Sequence, residues 1–400
     1  MISCLNPPEI YKQFINLLIN QLNICTKGRK NCTTVNLAKN IIFTDGSCYE
    51  TNDMDLPSSG CWERKPEYVP KTFMTMVNKK IVDEKNGKLC KCLFRVLLLL
   101  SVVTSACAKE NGSPTVTYDI KAETLKCRDP FIYLHEPTGI YYLHVNGGGK
   151  ISCYTSQDLQ WWRYQGDSFV PTADFWGKQD FWAPDMYAYQ GRYYLFVTFS
   201  APNQKRGTSI LVADHPEGPF TPLTNAPITP QDQMCLDGSL YVDEKGDPWL
   251  IYCREWLEAI DGEIYVAPLT DDLKALKEKP TLLFRASEAP WVGNITSGET
   301  TGKVTDAPFI IRQESNRLMM TWSSFRADNG RYAVGQAYSE GGVTGPWKQV
   351  ASPLISGGGH AMLFYTKAKR LMISYHAPNS APSYLTLRKA YIYQDKILVD

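Results

Sequence analysis

Acidic residues recur at one position of a long-range pattern that starts near residue 118. Asp129, Asp237 and Asp306 each begin an aromatic-rich, strand-like segment, and His360 begins another. Carboxylates brought together in a partly dry funnel repel one another, so one can stay ionised as a base while another keeps its proton as an acid. Hydrolysis of a glycosidic bond requires such a pair.

The elements that must position these residues form an internal repeat. Five segments consist of a first residue, a strand, a turn and a second aromatic-rich strand, with intervals of 54, 54, 69 and 54 residues; their first residues are Asp129, Ala183, Asp237, Asp306 and His360. Alternation with period two indicates β-strands, and a four-stranded propeller blade needs about 40–50 residues plus loops. The sequence therefore predicts an all-β fold, a five-bladed β-propeller over residues 118–400, with these first residues meeting at one end of the channel.

Composition limits the partners. The chain of 400 residues has 42 Lys and Arg against 41 Asp and Glu, a formal net charge of +1. Nucleic-acid binding needs a basic excess, so we expect no nucleic-acid partner. A metabolite or a neutral polymer such as a carbohydrate is the better expectation.

Aromatic and charged side chains near the predicted strand ends are candidates for substrate binding, since sugar rings stack on Trp and Tyr. We expect six residues to contact substrate: Arg128, Trp182, Arg254, Glu255, Trp291 and Trp322. For any single Trp, packing between blades is the alternative. Arg128 could instead pair with a carboxylate of the channel.

The ordered motifs of the five segments resemble glycoside hydrolase family 43, a family of five-bladed propeller enzymes that act on arabinose-, xylose- and galactose-containing polysaccharides. They read "RDPFIY", "WAPDMY", "LDGSLY", "TDAPFI" and "GGHAMLF". The resemblance implies that Asp129 is the general base and that Asp237 is the carboxylate that tunes and orients the acid. It also implies that His360 lies near a calcium ion or water in the channel. The resemblance implies no required cofactor. A structural calcium ion in the central channel is an alternative.

The general acid is where this chain departs from the family pattern. The family has Glu at the start of blade four, where this sequence has Asp306, one methylene shorter. A misplacement of about 1 Å can cost ~100-fold in rate. The longer interval before blade four contains Glu288, next to Pro290 and Trp291, and we expect either Glu288 or Asp306 to be the acid, with both lining the site.

The first 117 residues differ in kind from the rest. Eight of the twelve cysteines lie in the first 107 residues, and residues 93–106 form an apolar run typical of a signal peptide, preceded by lysines. We expect residues 1–73 to be an upstream extension rather than a domain, residues 74–107 to be a signal-like segment with Cys107 as a lipidation site, and residues 108–117 to be a linker. The protein would then be exported, in the periplasm or at the cell surface, and attached to a membrane only through this lipid. A buried helix is the alternative for the apolar run.

These features predict an inverting glycosidase acting on α-L-arabinofuranosyl or β-D-xylosyl linkages. Two alternatives remain open. One is another propeller sugar enzyme such as a glycoside phosphorylase, although the sequence offers no clear Arg/Lys cluster for phosphate. The other is a surface carbohydrate-binding lipoprotein that has lost catalysis.

Overall fold

The computed structural model describes residues 41–44, 47–50, 117–313, 315–394 and 396–400. The chain divides into two units, Met1–Glu110 and Asn111–Asp400. In the first unit the described residues are an antiparallel hairpin of β1 (Ile41–Thr44) and β2 (Ser47–Glu50). The predicted signal-like segment with Cys107 lies outside the described residues, as does the rest of the predicted extension. No helix among the described residues is long and apolar enough to cross a membrane.

The second unit begins with blades one and two, whose strands all pair antiparallel. Blade one is a five-stranded sheet, with β3 paired on its outer side to β7: β3 (Ile120–Lys121), β4 (Ile132–His135), β5 (Ile140–Asn146), β6 (Ile151–Ser156) and β7 (Trp161–Phe169). A 3-10 helix, Ala122–Thr124, follows β3. Blade two contains β8 (Gln179–Tyr189), β9 (Arg192–Ala201), β10 (Gln204–Ala213) and β11 (Thr221–Pro222).

Blade three contains β12 (Cys235–Val242), β13 (Pro248–Arg254), β14 (Glu263–Pro268) and β15 (Thr281–Arg285), with a single-turn helix α1 (Trp256–Ala259) after β13. The long interval before blade four holds a 3-10 helix, Ala286–Glu288, and a hairpin of β16 (Ile295–Ser297) and β17 (Thr300–Gly302). The longer interval predicted from the spacing therefore contains a 3-10 helix and a hairpin between blades three and four.

Blade four contains β18 (Asp306–Arg312), β19 (Leu318–Phe325), β20 (Tyr332–Ser339) and β21 (Trp347–Gln349), and the short β22 (Ile355–Ser356) also pairs with β20. Blade five contains β23 (Gly359–Tyr365), β24 (Leu371–Ala377), β25 (Tyr384–Tyr393) and β26 (Lys396–Val399). The inner strands of the five blades are thus β4, β8, β12, β18 and β23, each the first long strand after a blade boundary.

Packing between neighbouring blades supplies the core. Phe196 of blade two lies in one apolar cluster with Tyr252 of blade three, and Met319 of blade four lies in another with Ile373 of blade five. Blades five and one are also joined by main-chain hydrogen bonds, such as the one from the N–H of Cys127 to Ser383 O (3.0 Å). The predicted all-β, five-bladed propeller is confirmed.

Candidate active site

A polar side chain on left-handed backbone lies near the start of three inner strands. Asp129, Asp237 and His360 have φ values of 54°, 52° and 55°, a region that residues other than Gly rarely adopt. All three line one pocket of about 460 Å³. Such backbone strain persists only where the surroundings over-determine it, and it is concentrated at functional sites.

Each of these residues is held through its main-chain N–H by a side chain on the second strand of the preceding blade in the ring. The three hydrogen bonds are Asp129 N to His376 Nδ1 (3.2 Å), Asp237 N to Thr198 Oγ1 (2.9 Å) and His360 N to Ser323 Oγ (2.9 Å). One recurring contact therefore positions three functional side chains from three different blades.

His376 links this frame to Arg128. Its Nδ1 also lies 3.3 Å from Asp129 Oδ1, and its Nε2 lies 3.2 Å from Asn379 Oδ1. The same Oδ1 accepts a hydrogen bond from Arg128 Nη2 (3.1 Å), and Arg128 Nη1 donates to the main-chain oxygen of Asn379 (2.6 Å). Arg128 therefore lines the pocket with its guanidinium fixed by blade five.

His360 supplies positive charge between two carboxylates. Its Nδ1 lies 3.1 Å from Asp129 Oδ1 and 3.7 Å from Asp237 Oδ2. Burial alone would lower the pKa of His360, but the two carboxylates outweigh it and raise the pKa to about 10. Burial alone would likewise raise the pKa of Asp129, but the charge of His360 holds it well below its usual range. Asp129 is thus an ionised carboxylate at neutral pH, able to act as a base.

Blade four differs from the spacing prediction by one residue. Ala307, not Asp306, has the left-handed φ (52°) that corresponds to Asp129 and Asp237. The strand register agrees, because Asp306 pairs with Ser323 of the second strand as Trp182 of blade two pairs with Thr198. Asp306 therefore corresponds to the residue before the left-handed position. Asp306 therefore lines the pocket from a different position of the repeat than Asp129 and Asp237 do.

The surroundings of Asp306 favour its protonated form. Burial, followed by the negative charge of Asp237, raises its pKa to about 8, although the Tyr332 hydroxyl donates a hydrogen bond to Asp306 Oδ2 (2.8 Å) and opposes the rise. Burial also raises the pKa of Asp237, while the nearby His360 and a hydrogen bond from the N–H of Ala307 to Asp237 Oδ2 (2.9 Å) oppose it. The pocket thus holds one carboxyl group that can donate a proton and one, Asp129, that can accept one.

A further carboxyl group, Asp185 on β8, was not among the predicted site residues. Burial first, together with the charges of Asp237 and Asp129, raises its pKa to about 8, and the hydroxyl of Tyr187 donates to it over 3.3 Å. Its presence in the apolar segment "APDMY" was the available sequence signal, since an acidic residue on a buried strand needs a reason.

The pocket brings together seven of the predicted residues: Arg128, Asp129, Trp182, Asp237, Glu255, Asp306 and His360. Several other lining residues were not predicted from the sequence, among them Asn146, Phe325 and Tyr332. Tyr332 lies at the start of a third strand, and no periodicity in the sequence brings that position to the channel. Its contact with Asp306 is visible only in three dimensions.

Two predicted charged residues lie elsewhere. Glu288 does not line the pocket; its Oε1 accepts a hydrogen bond from the N–H of Arg285 (2.9 Å) at the start of the 3-10 helix. Arg254 also lies outside the pocket lining, because its guanidinium pairs with Glu263 (3.2 Å) and Glu258 (3.8 Å) of its own blade. Local hydrogen bonds thus occupy both side chains.

Two predicted tryptophans belong to the core. Trp322 is fully buried, and its Nε1 donates to Gln349 Oε1 (3.1 Å). The Trp291 ring packs against it with 5.3 Å between centroids, and Phe284 lies on it at 5.4 Å. The packing of blade four against blade three, rather than sugar stacking, accounts for both indoles.

The residues present do not fit a calcium ion held by protein ligands. His360, the residue considered for a metal, directs Nδ1 toward Asp129 and Asp237, and calcium prefers oxygen ligands. The part of the chain that the structure describes contains no group of three or more His, Cys, Asp or Glu that could hold a metal ion.

Comparison with known proteins agrees with this architecture. Residues 124–395 match Glycosyl hydrolases family 43. The extracellular exo-α-(1→5)-L-arabinofuranosidase ArbA of Cellvibrio japonicus (strain Ueda107) is 24% identical over 265 residues, which cover 60% of this chain and 73% of that protein.

Two solved structures extend the comparison. The endo-arabinase from Bacteroides thetaiotaomicron VPI-5482 is 57% identical, with a TM-score of 0.70, and the match covers 70% of this chain and 100% of that one. An endo-1,4-β-xylanase from the same organism is 25% identical, with a TM-score of 0.57, over 69% of this chain and 94% of that one.

Proposed function

The chain belongs to glycosyl hydrolases family 43 and is a glycosidase, and we propose that it cleaves α-L-arabinofuranosyl linkages of arabinan with inversion of configuration. One arrangement supports the mechanism: Asp129, whose pKa the charge of His360 holds low, and Asp306, whose pKa burial raises, line the same pocket. The similarity to an endo-arabinase at 57% identity supports arabinan as the substrate.

In the proposed reaction Asp129 is the general base. It removes a proton from water as the water oxygen attacks the anomeric carbon, and the imidazolium of His360, 3.1 Å away, keeps its carboxylate ionised beforehand. Arg128, fixed on Asn379, is available for a sugar hydroxyl. After the product leaves, solvent takes the proton from Asp129 and returns a proton to Asp306.

Asp306 is the proposed general acid and gives its proton to the glycosidic oxygen as the bond breaks. Burial, and then the negative charge of Asp237, raise the pKa of Asp306 and so keep that proton in place. The hydrogen bond from the N–H of Ala307 to Asp237 connects the two residues through the backbone next to Asp306. This bond holds the Asp237 carboxylate beside the residue that follows Asp306, at the start of β18.

Inversion requires the base and the acid to lie about 6.5–9.5 Å apart, with room for the attacking water. Asp129 and Asp306 lie at the inner strands of blades one and four, which are not neighbours in the ring, and both line the pocket, which supports this outcome. Proton NMR of a fresh digest tests it, because the first arabinose ends formed should have the β-configuration.

The paired variants Asp129→Ala and Asp306→Ala test the roles. A substrate with a good leaving group, such as 2,4-dinitrophenyl α-L-arabinofuranoside, needs no proton from an acid but still needs the base. We expect Asp306→Ala to lose about 100- to 10,000-fold on linear arabinan and far less on the dinitrophenyl glycoside. Asp129→Ala should lose activity on both. An Asp306→Ala enzyme that keeps wild-type activity on arabinan would refute the assignment.

The other substrate and function classes are outcomes of the same assays. Preferential turnover of β-xylosides would favour the xylosidase reading, which the similarity to an endo-1,4-β-xylanase keeps open. Phosphate-dependent cleavage would favour a phosphorylase, but the pocket lining includes four carboxyl groups against Arg128 and His360, which disfavours a phosphate anion. Binding of arabinan without any turnover would indicate a carbohydrate-binding protein.

We propose that bond cleavage uses no metal, because His360 itself provides the positive charge beside Asp129 and Asp237. Activity should then survive treatment with EDTA. A loss of activity that added calcium restores would contradict this proposal.

Export through the segment at residues 74–107, with lipidation of Cys107, is also a proposal. The apolar run at residues 93–106, the lysines before it and the small residues before Cys107 support it, as does the similarity to an extracellular arabinofuranosidase. Mass spectrometry of the mature N-terminus tests it. A mature chain that begins well before Cys107 would contradict it.

A further inference from the structure

Two residues that line the pocket, Trp182 and Glu255, are contacted by an arginine, Arg206, that does not line it. Arg206 on β10 is largely buried, with 15% of its side chain exposed. Its Nε and Nη2 donate to Asp180 Oδ2 over 3.1 and 3.0 Å, and its Nη1 donates to Glu255 on the next blade. The guanidinium carbon also lies 4.3 Å from the centre of the Trp182 ring. One side chain therefore holds two carboxylates and an indole in fixed relation.

Two of these partners form the pocket surface. Trp182 and Glu255 both line it, and Trp182 is 36% exposed although neighbouring residues of the strand are buried. A guanidinium stacked on one face of an indole leaves the other face for an apolar sugar surface, and cation–π contacts strengthen when partly desolvated. Arg206 can therefore influence substrate binding without touching substrate.

The backbone around Trp182 explains why this support is needed. The pairing of β8 with β9 shifts register on both sides of Trp182, between Gln179 and Trp182 and again between Trp182 and Asp185. Asp180 and Ala183, which flank it, have φ values of 56° and 49°. Bulges re-aim a side chain but interrupt the regular ladder that would otherwise fix it. The hydrogen bonds from Arg206 on β10 to Asp180 hold this irregular part of β8 in place.

We propose that Arg206 is a positioning residue, which holds Trp182 as a stacking platform and Glu255 beside it for a neutral pentose unit of the substrate. The proposal rests on the proposed function for the identity of the sugar. Arg206 forms ion pairs with both Asp180 and Glu255, so its positive charge is already neutralised by these two carboxylates. Arg206 is therefore not free to pair with a uronic acid, which is consistent with an uncharged arabinan chain.

The test is a double-mutant cycle between positions 206 and 182. Arg206→Lys keeps the positive charge for the two carboxylates but loses the planar group that stacks on the ring and binds two partners at once. On linear arabino-oligosaccharides we expect KM to rise about threefold to tenfold, with kcat within about twofold, as expected when binding shared by ground and transition states is lost. In a Trp182→Ala background the same change should alter KM by less than about twofold.

A second variant and a control keep the result unambiguous. Arg206→Met should raise KM further, provided its melting curve shows a folded protein; Arg206→Lys decides the question if it does not. Arg192→Lys, at an exposed ion pair with Asp214 (2.9 Å), should leave KM unchanged. A rise in KM from Arg206→Lys that is equally large without Trp182, or a fall in kcat alone, would overturn the positioning role.

Failure of the proposed function would look different. If the wild-type enzyme cleaves another pentoside but not arabino-oligosaccharides, the sugar assignment fails, and the cycle is read on the substrate that is cleaved. If the wild-type enzyme cleaves none of these substrates, the affinity for arabinotriose is measured by calorimetry. The double-mutant cycle between positions 206 and 182 is then built from these affinities. Weaker binding in Arg206→Lys that depends on Trp182 supports the positioning role, and absence of any binding to the wild type overturns both proposals.

Discussion

The hydrogen bond between Tyr332 and Asp306 offers a direct test of which residue is the acid. The Tyr332 hydroxyl donates to Asp306 Oδ2 over 2.8 Å and stabilises the ionised carboxylate, so it opposes the rise in the pKa of Asp306. Tyr332→Phe removes this donor but keeps the ring, which stacks on His376 with 5.8 Å between centroids and an interplanar angle of 14°. The substitution is therefore close to a deletion of one hydrogen bond.

The expected shift in the pKa of Asp306 follows from the strength of this hydrogen bond. A hydrogen bond to a charged group is worth about 1.5–3 kcal/mol, and 1.36 kcal/mol corresponds to about one pKa unit. Loss of the Tyr332 hydroxyl should raise the pKa of Asp306 from about 8 by roughly one to two units. The acid must be protonated to act, so the fraction of active enzyme falls above this pKa. The alkaline limb of activity should therefore move to higher pH by the same amount.

The assay is the pH dependence of kcat/KM on linear arabinan from about pH 5 to pH 10, which reports groups of the free enzyme. Tyr332 itself does not cause the limb, because burial first, and then the charge of Asp306, raises its own pKa well above the usual value. Tyr365→Phe, at an exposed tyrosine of β23, is the matched control and should leave the profile unchanged. An alkaline limb that stays in place, or moves to lower pH, in Tyr332→Phe would refute the assignment of Asp306.

Three further substitutions test the same electrostatic arrangement. Asp237→Asn removes a negative charge that raises the pKa of Asp306, so the alkaline limb should move to lower pH in a profile of kcat/KM; a move to higher pH would contradict the coupling. His360→Gln removes the charge that lowers the pKa of Asp129, so the acid limb should move to higher pH and kcat should fall by about tenfold or more; an unchanged acid limb would exclude Asp129 as the group seen there. Glu288→Gln should leave kcat/KM within about twofold and cost less than about 0.5 kcal/mol of stability in a denaturant melt, because Glu288 lies outside the pocket; a 100-fold loss would restore it as the acid.

The blade count was readable from the sequence because it depends on local pattern. Alternating strands and recurrent first residues spaced by 54, 54, 69 and 54 positions indicate five similar units, and each unit forms a sheet from its own consecutive strands. The same pattern located Asp129, Asp237 and His360, since each opens an inner strand and all inner strands begin at one end of the channel.

The sequence pattern did not predict which residue of blade four takes the left-handed position of the repeat. Asp306 and Ala307 are neighbours, and only the backbone conformation shows that Ala307 occupies the left-handed position of the repeat. Asp306 lines the pocket as the spacing predicted, but it does so from the position before the left-handed residue.

Side-chain partners likewise required the tertiary structure. Trp291 and Trp322 resemble sugar platforms in the sequence, as Trp182 does, yet the first two pack together between blades. Glu288 is the longer acid close in sequence to blade four, but a hydrogen bond to its own 3-10 helix holds it outside the pocket.

The sequence by itself determined the repeat, the all-β architecture and the residues that open each blade, because these depend on composition and spacing along the chain. Only the tertiary structure decided which carboxyl groups share one pocket and how they are protonated. Those properties depend on burial and on the distances to His360, Tyr332 and Arg206, which come from other blades or other strands.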